Sequence, residues 1–211
     1  MKKLTILLVL IATAITSMAD TSKGIAIAIV YDTSGSMGDK VQTATNQSKE
    51  KFRVANEALT NIVEKVDAYA QNHPVQASLI TFNGSPIPLS KWNKQAFSTW
   101  LKKFDSVGGG TPLGEAIAEA GKVLAAANAD QKHIVVLTDG ESNGNLKPEA
   151  AVAKLKTLTP KPNIYIVAFD VNSAAFEKVK ADTLILPANG KTLDTGLQTL
   201  FGSKILMEDE E

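Results

Sequence analysis

Asp32-Thr33-Ser34-Gly35-Ser36 sets one carboxylate and two serine hydroxyls in a short stretch directly after the apolar run Gly24 to Tyr31. Such a run reads as a buried strand, so these oxygens fall in the loop beyond its carboxyl end. Carboxylate and alcohol oxygens suit hard cations, Mg²⁺ or Mn²⁺ first and Ca²⁺ as a further candidate, whereas Zn²⁺ draws nitrogen and sulfur ligands. Two other loops carry matching groups. Gly108-Gly109-Gly110-Thr111-Pro112 presents a hydroxyl just before a helix start, and its glycines permit close backbone approach. Thr138-Asp139-Gly140 closes the β-rich run His133 to Thr138.

The elements needed to bring these loops together are readable in the periodicity. Phe52, Ala55, Leu59, Ile62, Val66 and Tyr69 recur in steps of three and four, the mark of an amphipathic helix that ends at His73-Pro74. Val75 to Phe82 follows as a strand, folded back through Asn83-Gly84 onto an edge partner at Ile87 to Leu89. Asn93 is a cap for a helix carrying Phe97, Trp100, Leu101 and Phe104, and a second helix opens at Thr111-Pro112 with Ala116, Ile117, Ala120, Val123 and Leu124 inward. Then come a strand at His133 to Thr138, a helix at Pro148 to Leu158, a strand at Ile164 to Phe169, a short helix at Ala174 to Lys180 and a short strand at Thr183 to Leu186. Thr192 to Leu206 reads as a closing helix. Strands alternating with helices predict an α/β fold, a doubly wound, mainly parallel sheet with helices on both faces and one short antiparallel edge strand. In such a sheet ligands settle beyond the carboxyl ends of the strands, where the winding reverses.

Other chemistries fit the residues less well. Gly140-Glu141-Ser142-Asn143-Gly144 has the spacing of a serine-hydrolase nucleophile elbow. That fold places its histidine after the serine, and the two histidines, His73 and His133, both precede it. Gly109 to Gly114 has the glycine spacing of a phosphate-binding loop, but Glu115 stands where lysine is required. A metal-dependent phosphatase built on Asp32 lacks an obvious second catalytic acid. Each histidine lies beside a strand boundary and reads as structural. Trp92 and Trp100 read as core or edge-covering side chains. Met37 is open to two readings, a rim contact or packing beneath its own loop.

Taken together, Asp-Thr-Ser-Gly-Ser-Met-Gly, Gly-Gly-Gly-Thr-Pro-Leu-Gly-Glu-Ala and Leu-Thr-Asp-Gly-Glu resemble the bacterial branch of the von Willebrand factor type A domain family. The resemblance spans Gly24 to Leu206, and every position of the family's metal-ion-dependent adhesion site is occupied, by Asp32, Ser34, Ser36, Thr111 and Asp139. It implies that Ser34 and Ser36 bind the cation directly and Thr111 directly or through water, while Asp32 and Asp139 act mainly through water and hydrogen bonds. It further implies a non-enzymatic binding module that captures an Asp or Glu side chain of a protein partner.

The remaining features bound the setting. Lys2-Lys3, the apolar stretch Leu4 to Ile15 and Ser17-Met18-Ala19 form the pattern of an export signal over residues 1–19, shorter than the roughly 20 residues of a spanning helix. The expected mature chain is a domain over 20–206 with an acidic tail at 207–211, periplasmic or secreted, monomeric and without a membrane span. It carries 20 basic against 22 acidic residues and no basic cluster, which argues against a nucleic-acid partner. Cysteine is absent, so disulfides, thiolate metal sites and thiol catalysis are excluded.

Overall fold

Strand β1, Ile25–Tyr31, is buried along its whole length. Its alternation serves two cores. Ile25, Ile27, Ile29 and Tyr31 face one layer, which contains α1 (Lys51–Ala70), α2 (Lys94–Lys103) and α5 (Leu193–Leu200). Ala26, Ala28 and Val30 face the other, with α3 (Leu113–Ala125) and α4 (Pro148–Leu155). Small side chains on that second face let α3 lie close to the sheet. The computed structural model describes residues 23–140 and 142–207. The expected export signal, Glu141 and Glu208 to Glu211 of the tail lie outside the described residues.

Six strands form one sheet in the order β5 (Gly84–Lys91), β4 (Val75–Thr81), β1, β6 (Gln131–Thr138), β7 (Asn163–Phe169), β8 (Leu184–Ala188). All neighbours are parallel except the β4–β5 hairpin, which is the expected antiparallel edge. From β1 the chain winds outward to β4 and β5, then returns to lay β6 on the opposite side of β1. The winding reverses between β1 and β6, and the loops after these two strands open side by side. Tyr31 is paired with Leu137, so Asp32 and the end of β6 emerge at the same height.

Several boundaries differ from the periodicity reading, each for a local reason. Lys40–Gln42 and Ser48–Glu50 form a small antiparallel pair, β2 and β3, at the two ends of the polar stretch Gln42 to Ser48. Of these six residues only Val41 is buried, so no alternation announces them. Helix α1 stops at Ala70, α3 begins at Leu113 with Pro112 at its cap, and α4 stops at Leu155. The segment Ser173–Asp182 is a 3-10 helix rather than an α-helix. The closing helix keeps its buried stripe of Leu193, Leu197, Leu200 and Phe201 but passes into a π turn at Phe201–Ile205. Pro187 lies in β8, an edge strand, where a missing N–H costs least.

Candidate metal centre

The end of β1 is braced before the chain turns. Tyr31 donates its hydroxyl to Phe52 O at 3.0 Å, lies 2.8 Å from Asn56 Oδ1, and meets Trp100 and Phe104 edge-on. Trp100 therefore packs on the aromatic cluster, and Trp92 stacks on Phe97 while donating to Asp67. Met37 is fully buried beneath the loop, which selects the packing reading over the rim contact. With both flanks fixed, Asp32 to Ser36 is held from below.

Asp32 is fully buried and faces inward. Its Oδ1 accepts the Ser34 N–H at 2.7 Å, and its Oδ2 accepts the Thr138 hydroxyl at 2.6 Å. Burial pushes the Asp32 carboxyl above its usual range, hydrogen bonds from Ser34 and Thr138 oppose that, and the Asp139 charge adds to the upward push. The Ser34 and Ser36 hydroxyl oxygens lie 3.1 Å apart, and Ser36 donates to Asp139 Oδ1 at 2.7 Å. Because the Ser36 proton is given to Asp139, its oxygen is left as an acceptor.

Thr111 reaches this place from the glycine loop. That loop docks on the first one through Gly108 N–H to Thr33 O at 2.9 Å and Gly35 N–H to Gly109 O at 3.2 Å. Gly109 adopts φ 83, a left-handed conformation that a side chain would strain. Asn143 clamps Thr111 from the other side, accepting its N–H at 2.7 Å and donating its own N–H to Thr111 O at 3.0 Å. Glu115 accepts the Leu146 N–H at 2.8 Å, and this bond chiefly lowers its carboxyl pKa. A Cβ on Gly140 would sit 3.5 Å from Thr111 Oγ1 and 3.9 Å from Ser36 Oγ, so hydroxyls from separate loops face one small volume beside Gly140.

These residues fit a hard divalent ion. Mg²⁺ holds its oxygens at about 2.1 Å in octahedral geometry, which separates neighbouring ligands by about 3.0 Å, and the two serine oxygens are 3.1 Å apart. Among the described residues no group of three or more His, Cys, Asp or Glu side chains gathers, so an ion here would rest on hydroxyls backed by two carboxylates. All five sequence-derived residues thus converge. Thr138 and Asn143 were missed, although each lies within the loops already singled out.

Lys51 was also missed. Its Nζ is 2.8 Å from Asp139 Oδ2, with a side chain 8% exposed. Burial works to lower the Lys51 pKa, but the hydrogen bond to Asp139 and the charges of Asp139, Asp170 and Asp39 outweigh it and hold the ammonium above its usual value. The signal was present in the sequence: Lys51 stands four residues before Ala55, on the same buried stripe of α1, where a cation requires an acidic partner.

The alternative nucleophile finds no support in the geometry. Among the described residues the buried Ser142 hydroxyl has no hydrogen-bond partner, so none of them is placed to activate it. His133 is buried in β6 beside Tyr165, and His73 stacks on Tyr69, both structural placements.

A doubly wound sheet with three loops gathered over its switch point defines a recognisable class. The chain matches the von Willebrand factor type A domain over residues 26–192 and belongs to that family. It is 26% identical to the uncharacterized protein YwmD of Bacillus subtilis (strain 168) over 170 residues, covering 77% of this chain and 74% of that protein. Among solved structures, the PilB minor pilin from Streptococcus sanguinis superposes with a TM-score of 0.66 at 14% identity, covering 86% of this chain and 60% of the pilin. The vWF domain of the type V pili tip protein Mfa5 from Porphyromonas gingivalis gives 0.66 at 12% identity, covering 84% of this chain and 93% of that domain. The SpRpn10 VWA domain gives 0.63 at 14% identity, covering 86% and 98%. These likenesses establish the shared fold, and this chain spans about three-fifths of the pilin's length.

Proposed function

We propose that the domain is an exported, monomeric binding module, periplasmic or secreted, that captures an Asp or Glu side chain of a protein partner through Mg²⁺ or Mn²⁺. The observation that carries this reading is the convergence of the Ser34, Ser36 and Thr111 hydroxyls with Asp32 and Asp139 turned behind them. When bound, the ion supplies a Lewis-acidic position that a carboxylate oxygen fills. Ser34, Ser36 and Thr111 would hold it through neutral oxygens. Asp32 spends both its oxygens on Ser34, Thr138 and the Asp139 N–H, and so fixes the loop rather than serving as an outward ligand. Neutral ligands leave the ion short of negative charge, which favours an anionic oxygen from outside. Fold likeness to a pilus tip domain and a minor pilin accords with an interaction role outside the cell. Among the described residues no helix is long and apolar enough to cross a membrane.

The test is capture from the native envelope and medium on immobilised wild type and Thr111→Ala, with Mg²⁺ or with chelator. The expected outcome is a partner retained by wild type in Mg²⁺, released by chelator and not retained by Thr111→Ala at unchanged melting temperature. Retention that ignores chelator would contradict the reading.

A further inference from the structure

Lys51, the first residue of α1, lies behind the site between two acidic side chains. Its Nζ is 2.8 Å from Asp139 Oδ2 and 3.6 Å from Asp170 Oδ2. Asp170 follows β7 with φ 54, a left-handed conformation that a residue bearing a side chain adopts at a cost. Its N–H donates to Ala188 O at 2.7 Å, which holds it in that turn. Three elements thus converge on one ammonium: the start of α1, the end of β6 and the end of β7.

We infer that Lys51 is a positioning residue that sets how far the site depends on its partner's carboxylate, an inference that rests on the metal-dependent reading above. Asp139 commits one oxygen to the Ser36 hydroxyl and the other to the ammonium. Fixed at both ends, the carboxylate stays behind Ser36 and does not turn outward as a direct ligand. The ammonium also cancels one of the two buried negative charges. Counting the buried groups alone, Asp32, Asp139 and Lys51 leave a doubly charged ion with one surplus positive charge, which a single carboxylate from a partner neutralises. Without the ammonium the chain would neutralise the ion by itself. Asp170, with a side chain 42% exposed, draws off part of the Lys51 field and is screened by solvent.

The test is Mn²⁺ binding measured by electron paramagnetic resonance, with and without acetate as the carboxylate probe, on wild type, Lys51→Met and Asp170→Asn. Asparagine is chosen because it tolerates the left-handed backbone. Lys51→Met is expected to bind Mn²⁺ roughly tenfold more tightly than wild type and to gain less from acetate. Asp170→Asn is expected to bind roughly threefold more weakly, an exposed charge acting through a screened field. A purely structural lysine gives the opposite sign, since freeing Asp139 would loosen the site and weaken Mn²⁺. Unchanged or weaker affinity in a folded Lys51→Met overturns the inference. If that variant does not fold, unchanged or tighter affinity in Asp170→Asn does so. Wild type that binds no Mn²⁺ refutes the metal reading and this inference together, whereas wild type that binds alongside wrong-signed variants overturns the inference alone.

Discussion

Asp32 shows how little of a residue's role lies in its own chemistry. As a lone aspartate after a strand it reads as a turn former or a ligand; its surroundings turn it into an internal strut, held by Thr138 and Ser34. The five site positions were legible because their types and order are constrained by oxygen coordination. Thr138, Asn143 and Lys51 were not, because their partners are fixed only by the register of β1 on β6 and by the entry of α1. His133 illustrates the same point away from the site. Burial lowers its pKa from 6.5 to about 4, and its Nε2 has no hydrogen-bond partner among the described residues. A depressed value means that the unfolded chain takes up the proton first as pH falls. The associated stability is complete above pH 6.5 and is lost progressively down to about pH 4. At roughly 1.4 kcal/mol per unit the loss is about 3 kcal/mol. Urea unfolding of wild type and His133→Leu across this range should show the gap between them shift by that amount in favour of the variant as pH falls; a constant gap would contradict the assignment.

Elements carry the loops only as well as they pack. The helices follow from apolar periodicity because each buries one stripe, and the central strands from continuous apolar runs because both their faces are covered; α1 buries Phe52, Ala55, Leu59, Ile62 and Val66 as the spacing required. The β2–β3 pair escaped notice because it has almost no buried face, and the 3-10 segment because short apolar spacing does not distinguish its pitch from an α-helix. Helix α3 starts at Leu113, two residues after the site residue Thr111. Gly114 in its first turn lies against the Leu146 carbonyl, and a Cβ there would overlap that backbone. Since Glu115 ties α3 to Leu146 and Asn143 of the same segment holds the Thr111 backbone, pushing α3 away should also displace the Thr111 hydroxyl. Gly114→Ala should therefore destabilise the domain by about 1–3 kcal/mol and weaken Mn²⁺ binding together, read by urea unfolding and by titration. Lost stability with unchanged Mn²⁺ affinity would uncouple α3 from the site.

For the molecule as a whole, topology accounts for the site. The reversal of winding between β1 and β6 leaves two loops side by side, and the glycine loop closes over them from the start of α3. The alternation of elements made this arrangement legible before any distance was known, whereas the strand order and the side of entry of each helix follow from pairing that a linear sequence does not display. Because the surrounding layers are buried and the oxygens are preset, cation binding should need little rearrangement, so affinity should follow the donor set. The most direct test is an Mn²⁺ titration of the purified domain, with free ion counted by electron paramagnetic resonance, on wild type and Thr111→Ala. The expected result is about one Mn²⁺ per folded wild-type chain, displaced by excess Mg²⁺, and at least a roughly tenfold weaker site in Thr111→Ala. Folded wild type that leaves all Mn²⁺ free, or equal binding by Thr111→Ala, would contradict it.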